Sequence, residues 1–209
     1  MKKTVLFFAL LLVSLFSFAQ VNIQGLIKPG TKLIYAVEAN GLKYDFIVTI
    51  KALNPAVVFD WQMTDREGNY GTITHTPTAM ISGNTMYNYF SPGLKTLDDN
   101  TLSVWISKNT FTALTKKPMS AMISMNTNES PKTMGITEAE AERDDLSQLK
   151  IIVNGEKETI EEKIAVELNA EGHAIADGAM FSFFNSAKMP IILRMKNEFS
   201  IVLKEIRTK

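Results

Sequence analysis

The sequence predicts a mainly β protein: a curved antiparallel sheet, half-barrel or open barrel, of about ten to twelve strands with one or two short helices. Three observations carry this. The closing block Phe181–Ile206 belongs to three short apolar runs, Met180–Phe184, Ile191–Met195 and Phe199–Ile206, parted by Asn185–Lys188 and Lys196–Glu198. Runs of that length, rich in Phe, Ile and Val and bounded by polar turns, are strands. Asn-Gly occurs between β-type runs at Asn40-Gly41 and again at Asn154-Gly155, and both central residues of a type I′ hairpin turn need positive φ. Strict alternation is the third: Tyr44, Phe46, Val48 and Ile50 share one face, as do Val57, Phe59, Trp61 and Met63.

Met1–Ala19 precedes all of this. Lys2 and Lys3 lead an apolar run over Val5–Phe16, and Ser17 and Ala19 are the small residues before a cut at Gln20. That layout is a secretory signal peptide, and the run is shorter than the ~20 apolar residues of a membrane span. Export to the periplasm or beyond is therefore expected. The chain has no cysteine, which rules out a lipid-modified cysteine and a disulfide framework. Removing 19 of 209 residues leaves 190, and removing two of 22 basic residues leaves 20 against 22 acidic ones. A single β-rich domain over 20–209, with no transmembrane segment after cleavage, is the expected organisation. Near-neutral charge argues against nucleic acid as a partner.

The body of the chain reads as follows. Lys32–Ala39 and Leu42–Leu53 form the first hairpin, and Asn54-Pro55 turns the chain into Val57–Thr64. After the polar turn Asp65–Asn69 comes Tyr70–Thr76. Thr78–Ile81 and Thr85–Phe90 suggest a strand pair around Ser82-Gly83-Asn84. Ser91-Pro92-Gly93 breaks the pattern and Asp98-Asp99-Asn100 turns. Leu102, Val104 and Ile106 then alternate with Ser103, Trp105 and Ser107. Lys108–Thr115 is the best helix, with Ser107 as N-cap, Lys116-Lys117 at its negative end and Pro118 as its stop. Met119–Met125 resumes as a strand. An acidic loop or insertion is expected at about 126–148, where Thr137 and Glu140 are spaced as a capping box. Leu149–Val153 and Glu156–Ile160 make the second Asn-Gly hairpin. Beyond Ile160 the even spacing of Ile164, Val166 and Leu168 suits a strand while the composition suits a helix. The preceding turn tips the reading toward strand. Glu171–Gly178 is a loop, and Pro190 fits the start of the strand that follows it.

The exported leader, the long meander, the mid-chain helix and the closing block, with its Asn185–Pro190 turn (NSAKMP), Ile191–Met195 (IILRM) and Ile201–Ile206 (IVLKEI), together resemble secreted domains of unknown function from diderm bacteria. Those are similar to the half-barrel fold of the periplasmic lipoprotein carriers. The resemblance implies a curved sheet with an apolar concave face, lipid-binding in the carrier case. It carries no catalytic motif, and the acidic stretch before Leu149 departs from a compact carrier.

Candidate chemistry is sparse. Met119, Met122 and Met125 offer soft thioethers of the kind that bind Cu(I), but a spacing of three on a strand alternates faces, and methionine commonly fills irregular core space. His75 and His173 lack a carboxylate cluster. No spacing supports His75 as a base with Asp60 or Ser82. Asp98-Asp99 suits a turn better than a catalytic pair. No nucleophile elbow, P-loop or dinucleotide fingerprint occurs. The expectation is a non-enzymatic envelope protein without cofactor or metal, binding an apolar small molecule, lipid or acyl chain. Tyr44, Phe46, Phe59, Trp61, Trp105 and Phe183 are the candidate lining. The alternative is a structural or interaction module with an envelope partner and a filled core, in which Trp105 is ordinary core.

Overall fold

A computed structural model describes residues 23–136 and 148–208; the leader and the Thr137/Glu140 pair lie outside the described residues. The described chain opens on a single helical turn, α1 (Ile23–Leu26). The first hairpin follows, β1 (Lys32–Ala39) and β2 (Leu42–Ala52), in register from Lys32↔Thr49 to Ala39↔Leu42. Asn40 and Gly41 have φ of 52° and 75°, the left-handed pair that so tight a turn requires. The meander continues through β3 (Val57–Met63) and β4 (Tyr70–His75). On β3 the side chains of Val57, Phe59 and Trp61 are buried while those between them are not, as the alternation requires.

The next stretch departs from the strand pair suggested around Gly83. Pro77–Ser82 is a helix, α2. Thr76 Oγ1 accepts the Ala79 amide at 3.0 Å and Pro77 stands in the first turn. A cap followed by an N-terminal proline starts a helix, and it outweighs the β-type residues after it. The expected partner over Thr85–Phe90 shrinks to β5 (Thr85–Met86). The chain then returns as β6 (Gly93–Thr96), parallel to β4, with all four residues exposed. No apolar alternation announces such a strand; backbone pairing with β4 holds it. β7 (Thr101–Leu102) runs parallel to β5. The strand suggested through Ser107 stops at Leu102 because Val104 adopts φ 67°, and every residue from Thr101 to Ser107 is buried.

Helix α3 (Lys108–Thr115) forms where expected. Ser107 Oγ accepts the Thr110 amide at 3.2 Å, and Phe111 and Leu114 are buried. Past Pro118, β8 (Ser120–Ile123) pairs antiparallel with β9 (Lys132–Gly135). β9 lies inside the stretch read as a loop. Four residues are too few to show a period, and β9 owes its pairing to β8 and to β11 (Glu156–Glu167). β10 (Gln148–Val153) and β11 form the second Asn-Gly hairpin, with Asn154 and Gly155 at φ 51° and 94°. β11 stays extended through the stretch of mixed signals, because pairing with β12 (Met180–Phe184) and β9 overrides its helix-favouring composition. β13 (Ile192–Lys196) and β14 (Ser200–Arg207) complete the closing meander.

The large sheet has 12 strands. Its order is β6-β4-β3-β2-β1-β14-β13-β12-β11-β9-β8, with β10 pairing both β11 and β14. The last strand therefore lies beside the first, paired from Lys32↔Arg207 to Glu38↔Ser200 with a register shift between Ile34 and Tyr35. On the other edge of β14, residues 200–202 pair with β13 and residues 205–206 run parallel to β10. These pairings close β10 to β14 into a five-stranded barrel within the larger curved sheet. A sheet that curls this far removes part of its own edge.

Two apolar clusters fill the inner side. One gathers β1 to β4, β10 and the start of β11 around Trp105, with Leu193, Leu203 and Ile206. The other lies between α3, β8, β9 and the Phe181–Phe183 face of β12. Trp105 is fully buried, 5.7 Å from the Phe59 ring and 5.8 Å from His75. Its indole N–H points at Met189 Sδ, 3.4 Å away. Trp105→Ala is expected to cost about 4 kcal/mol, because a fully packed Trp leaves a cavity its neighbours close only in part. Urea denaturation measures this; a loss below about 1 kcal/mol would remove Trp105 from the packed core.

Candidate functional site

A cleft of about 240 Å³ opens between the β1–β2 hairpin end, β13 and β14. Its floor is apolar and buried: Tyr35, Val37 and Phe46 from the first hairpin, Ile192 and Met195 from β13. Tyr44, Met63, Phe199 and Ile201 are half-buried on its walls. Strand alternation explains this set. Tyr35, Val37 and Ala39 share one face of β1, and Tyr44 and Phe46 stand opposite Val37 and Tyr35 on β2. Tyr35 donates from its hydroxyl to the Ile192 carbonyl at 3.0 Å. Burial pushes that hydroxyl's pKa well above the usual tyrosine value.

One side of the cleft is a strap, residues 88–92, left outside the sheet where the expected strand ends. Among the described residues no backbone hydrogen bond is made by the amides of Asn88 to Ser91. The strap is held instead by side chains. Asn88 donates to the Met125 carbonyl and faces Met195 Sδ at 3.7 Å. Phe90 lies 4.7 Å from Phe46, 5.1 Å from Trp61 and 5.3 Å from Tyr87, centroid to centroid. Tyr89 reaches over the cleft and donates to Glu198 Oε2 at 2.8 Å. The hydrogen bond to Glu198 and the nearby carboxylates raise the Tyr89 hydroxyl's pKa. Tyr89, Phe90 and Asn88 also border a second, more open hollow on the other side of the strap, against Asp65–Asn69.

Of the candidate lining residues, Tyr44 stands on the cleft wall and Phe46 on its floor. Phe59, Trp61 and Trp105 lie in the first core cluster, and Trp61 backs the Phe90 ring from outside the cleft. Phe183 lies in the second cluster, 5.7 Å from Phe111 in an edge-on arrangement. Reasoning from aromatic content alone finds the large side chains, and most of those are used to fill the fold. It misses Tyr35, Val37, Tyr89, Phe90, Met195 and Glu198, which come from separate segments. Only the irregular Tyr87–Pro92 stretch, with aromatics leading into Ser-Pro-Gly, carried a local hint.

The ionisable candidates are placed as follows. His75 is buried between Phe59 and Trp105, and its Nε2 accepts the Ser103 amide at 3.0 Å. Burial lowers its pKa to about 3, so the ring is neutral and its proton sits on Nδ1. Asp60 pairs with Lys51 and Thr72, and Ser82 donates to the Thr78 carbonyl, so neither serves His75. Asp98 accepts the Asn100 amide at 2.9 Å and Asp99 accepts the Thr76 hydroxyl, the contacts of turn residues. His173 is exposed in its loop. Met122 is exposed while Met125 is fully buried, so the two side chains face apart.

A separate buried polar cluster sits in the closed barrel strands. Glu162 on β11 has a fully buried side chain 2.8 Å from the Arg194 guanidinium of β13. Ser182 of β12 donates to its other oxygen. Burial raises the Glu162 pKa, against the lowering effects of Ser182 and Arg194. Arg194 also donates to the Gln148 carbonyl at 3.3 Å, tying β13 to the start of β10. The ion pair and the Ser182 bond join β11, β12 and β13, which reads as a clasp between barrel strands. No helix among the described residues is long and apolar enough to cross a membrane.

Comparison of the chain with protein-family models, curated proteins and solved structures finds no match.

Proposed function

We propose that this is an exported envelope protein that binds an apolar group without chemically changing it. The aromatic-walled cleft between β1, β2, β13 and β14 carries the reading. At about 240 Å³ it lies just under the roughly 300–1,000 Å³ of common small-molecule sites. It suits one short acyl segment or a compact hydrophobic molecule rather than a whole lipid, because the rest of the concave side is filled by Phe59, Trp61, Trp105 and the Phe181–Phe183 pair. Tyrosines and asparagines at the rim supply hydrogen bonds to orient such a ligand, as amphipathic aromatics do elsewhere.

Binding of a fluorescent apolar probe, phenylnaphthylamine, tests this. Wild-type protein is expected to bind it in the micromolar range, about −8 kcal/mol. Ala39→Trp, at the half-buried hairpin end lining the cleft, is expected to weaken binding by about tenfold with little change in the melting temperature. Equal binding by both proteins would place the probe elsewhere and end the reading.

A second reading has its own observation. β6 is an open sheet edge with Leu94 89 % exposed, next to Tyr70 at 63 %. Bare edges with apolar side chains take partner strands, which suits an interaction module of the envelope. Loss of probe binding with retained capture of an extended peptide on β6 favours this alternative.

A further inference from the structure

We propose that the ligand of this cleft carries a cationic head on its apolar body, an aliphatic or aromatic amine rather than a fatty acid. The inference rests on reading the cleft as a binding site and adds the chemical class of what enters it. Among the residues lining the cleft, Glu198 is the one charged side chain. It is exposed at the rim, above an apolar floor. Among the described residues no Lys, Arg or His lies within ion-pair distance of it. Among the described residues its one hydrogen bond comes from the Tyr89 hydroxyl, to Oε2, which leaves Oε1 to accept from a ligand.

Glu129 adds negative charge at Tyr89. Arg66, the cation that acts on Tyr44, is already paired with Asp65 at 3.2 Å. The nearby lysines are already taken: Lys132 by Glu167 at 3.2 Å, and Lys196 by Asp177 at 3.6 Å. The rings of Tyr44, Tyr89 and Phe199 line the same cleft, and Tyr89 touches Glu198 directly. An acid flanked by aromatic faces attracts a cation twice, through charge and through the ring quadrupoles. A contact of this kind occurs beside the strap, where Lys95 Nζ of β6 lies 4.2 Å from the centre of the Tyr87 ring. A fatty-acid carboxylate entering tail-first would leave its charge against Glu198 with no cation to meet it, and like charges in contact oppose binding.

Calorimetric titration of the purified protein with octylamine, octanol and octanoate, at one pH near 7, tests this. Octylamine is expected to bind at least about tenfold more tightly than octanoate, with octanol between them. In Glu198→Gln the amine and the alcohol are expected to bind within about twofold of each other. Octanoate binding as well as octylamine, or an amine preference that survives Glu198→Gln, overturns the head-group inference and leaves the cleft as an apolar site. Binding of none of the three overturns the cleft itself, and the head group with it.

Discussion

Lowering the pH from 6.5 to about 4.5 is expected to destabilise the fold by about 2 kcal/mol through His75. The imidazole is walled by Phe59 and Trp105, and its Nε2 is occupied as an acceptor of the Ser103 amide. Among the described residues its Nδ1 is buried without a partner, so a second proton would bring a charge into an apolar site. The folded-state pKa, about 3, lies below the ordinary 6.5. The unfolded chain therefore takes the proton first as the pH falls. The contribution of the neutral ring is complete above pH 6.5 and is lost progressively down to about 3, at about 1.4 kcal/mol per pH unit. Glu162 has the opposite sign: its raised pKa favours the fold below 4.5 and less so as the pH rises. It is present in both proteins of the comparison and cancels. His75→Gln keeps a carbonyl that can accept the Ser103 amide and removes the titration. Urea unfolding of both proteins between pH 7 and 5 is expected to show a steep loss for the wild type and a shallower one for the variant. Parallel curves would mean that the ring is charged, or wet, in the native state.

Arg194→Met is expected to cost about 3 kcal/mol, more than any surface ion pair of this chain would. The Glu162 side chain is fully enclosed, and Arg194 is the cation beside it, 2.8 Å away. Removing the cation leaves a desolvated carboxylate supported only by the Ser182 hydroxyl. It also frees the Gln148 carbonyl at the start of β10, loosening the closure of the barrel. The double variant Glu162→Gln with Arg194→Met discriminates this from simple loss of packing. With the charge gone, the double variant is expected to be more stable than Arg194→Met alone by about 1–2 kcal/mol. Additive losses would reduce the pair to a surface contact.

How far local chemistry carries is visible in particular residues. Both Asn-Gly turns sit in left-handed backbone, and both hairpins follow from them. The Ser107 cap and Pro118 bound α3 on either side. Thr76-Pro77 began a helix over residues that favour strand. Strands β6 and β9 were invisible because four exposed or irregular residues carry no period, and they exist by pairing with β4, β8 and β11. The cleft was half legible. Tyr44 and Phe46 follow from β2 alternation, whereas Glu198 belongs to a polar turn that looks like any other until Tyr89 is laid across it.

By itself the amino-acid order determined the β class, the turns, the helix ends and which face of each long strand is dry. Those depend on residues within one or two turns of each other, where steric and hydrogen-bonding preferences act without help from the rest of the chain. Tertiary structure alone decided that β14 lies between β1 and β13, that β10 closes a ring against it, and that Trp61, Trp105 and Phe183 fill the fold. It also left residues 88–92 outside the sheet to wall a cleft. These outcomes turn on which distant apolar faces bury one another most completely, a competition among partners far apart in sequence that no local pattern records.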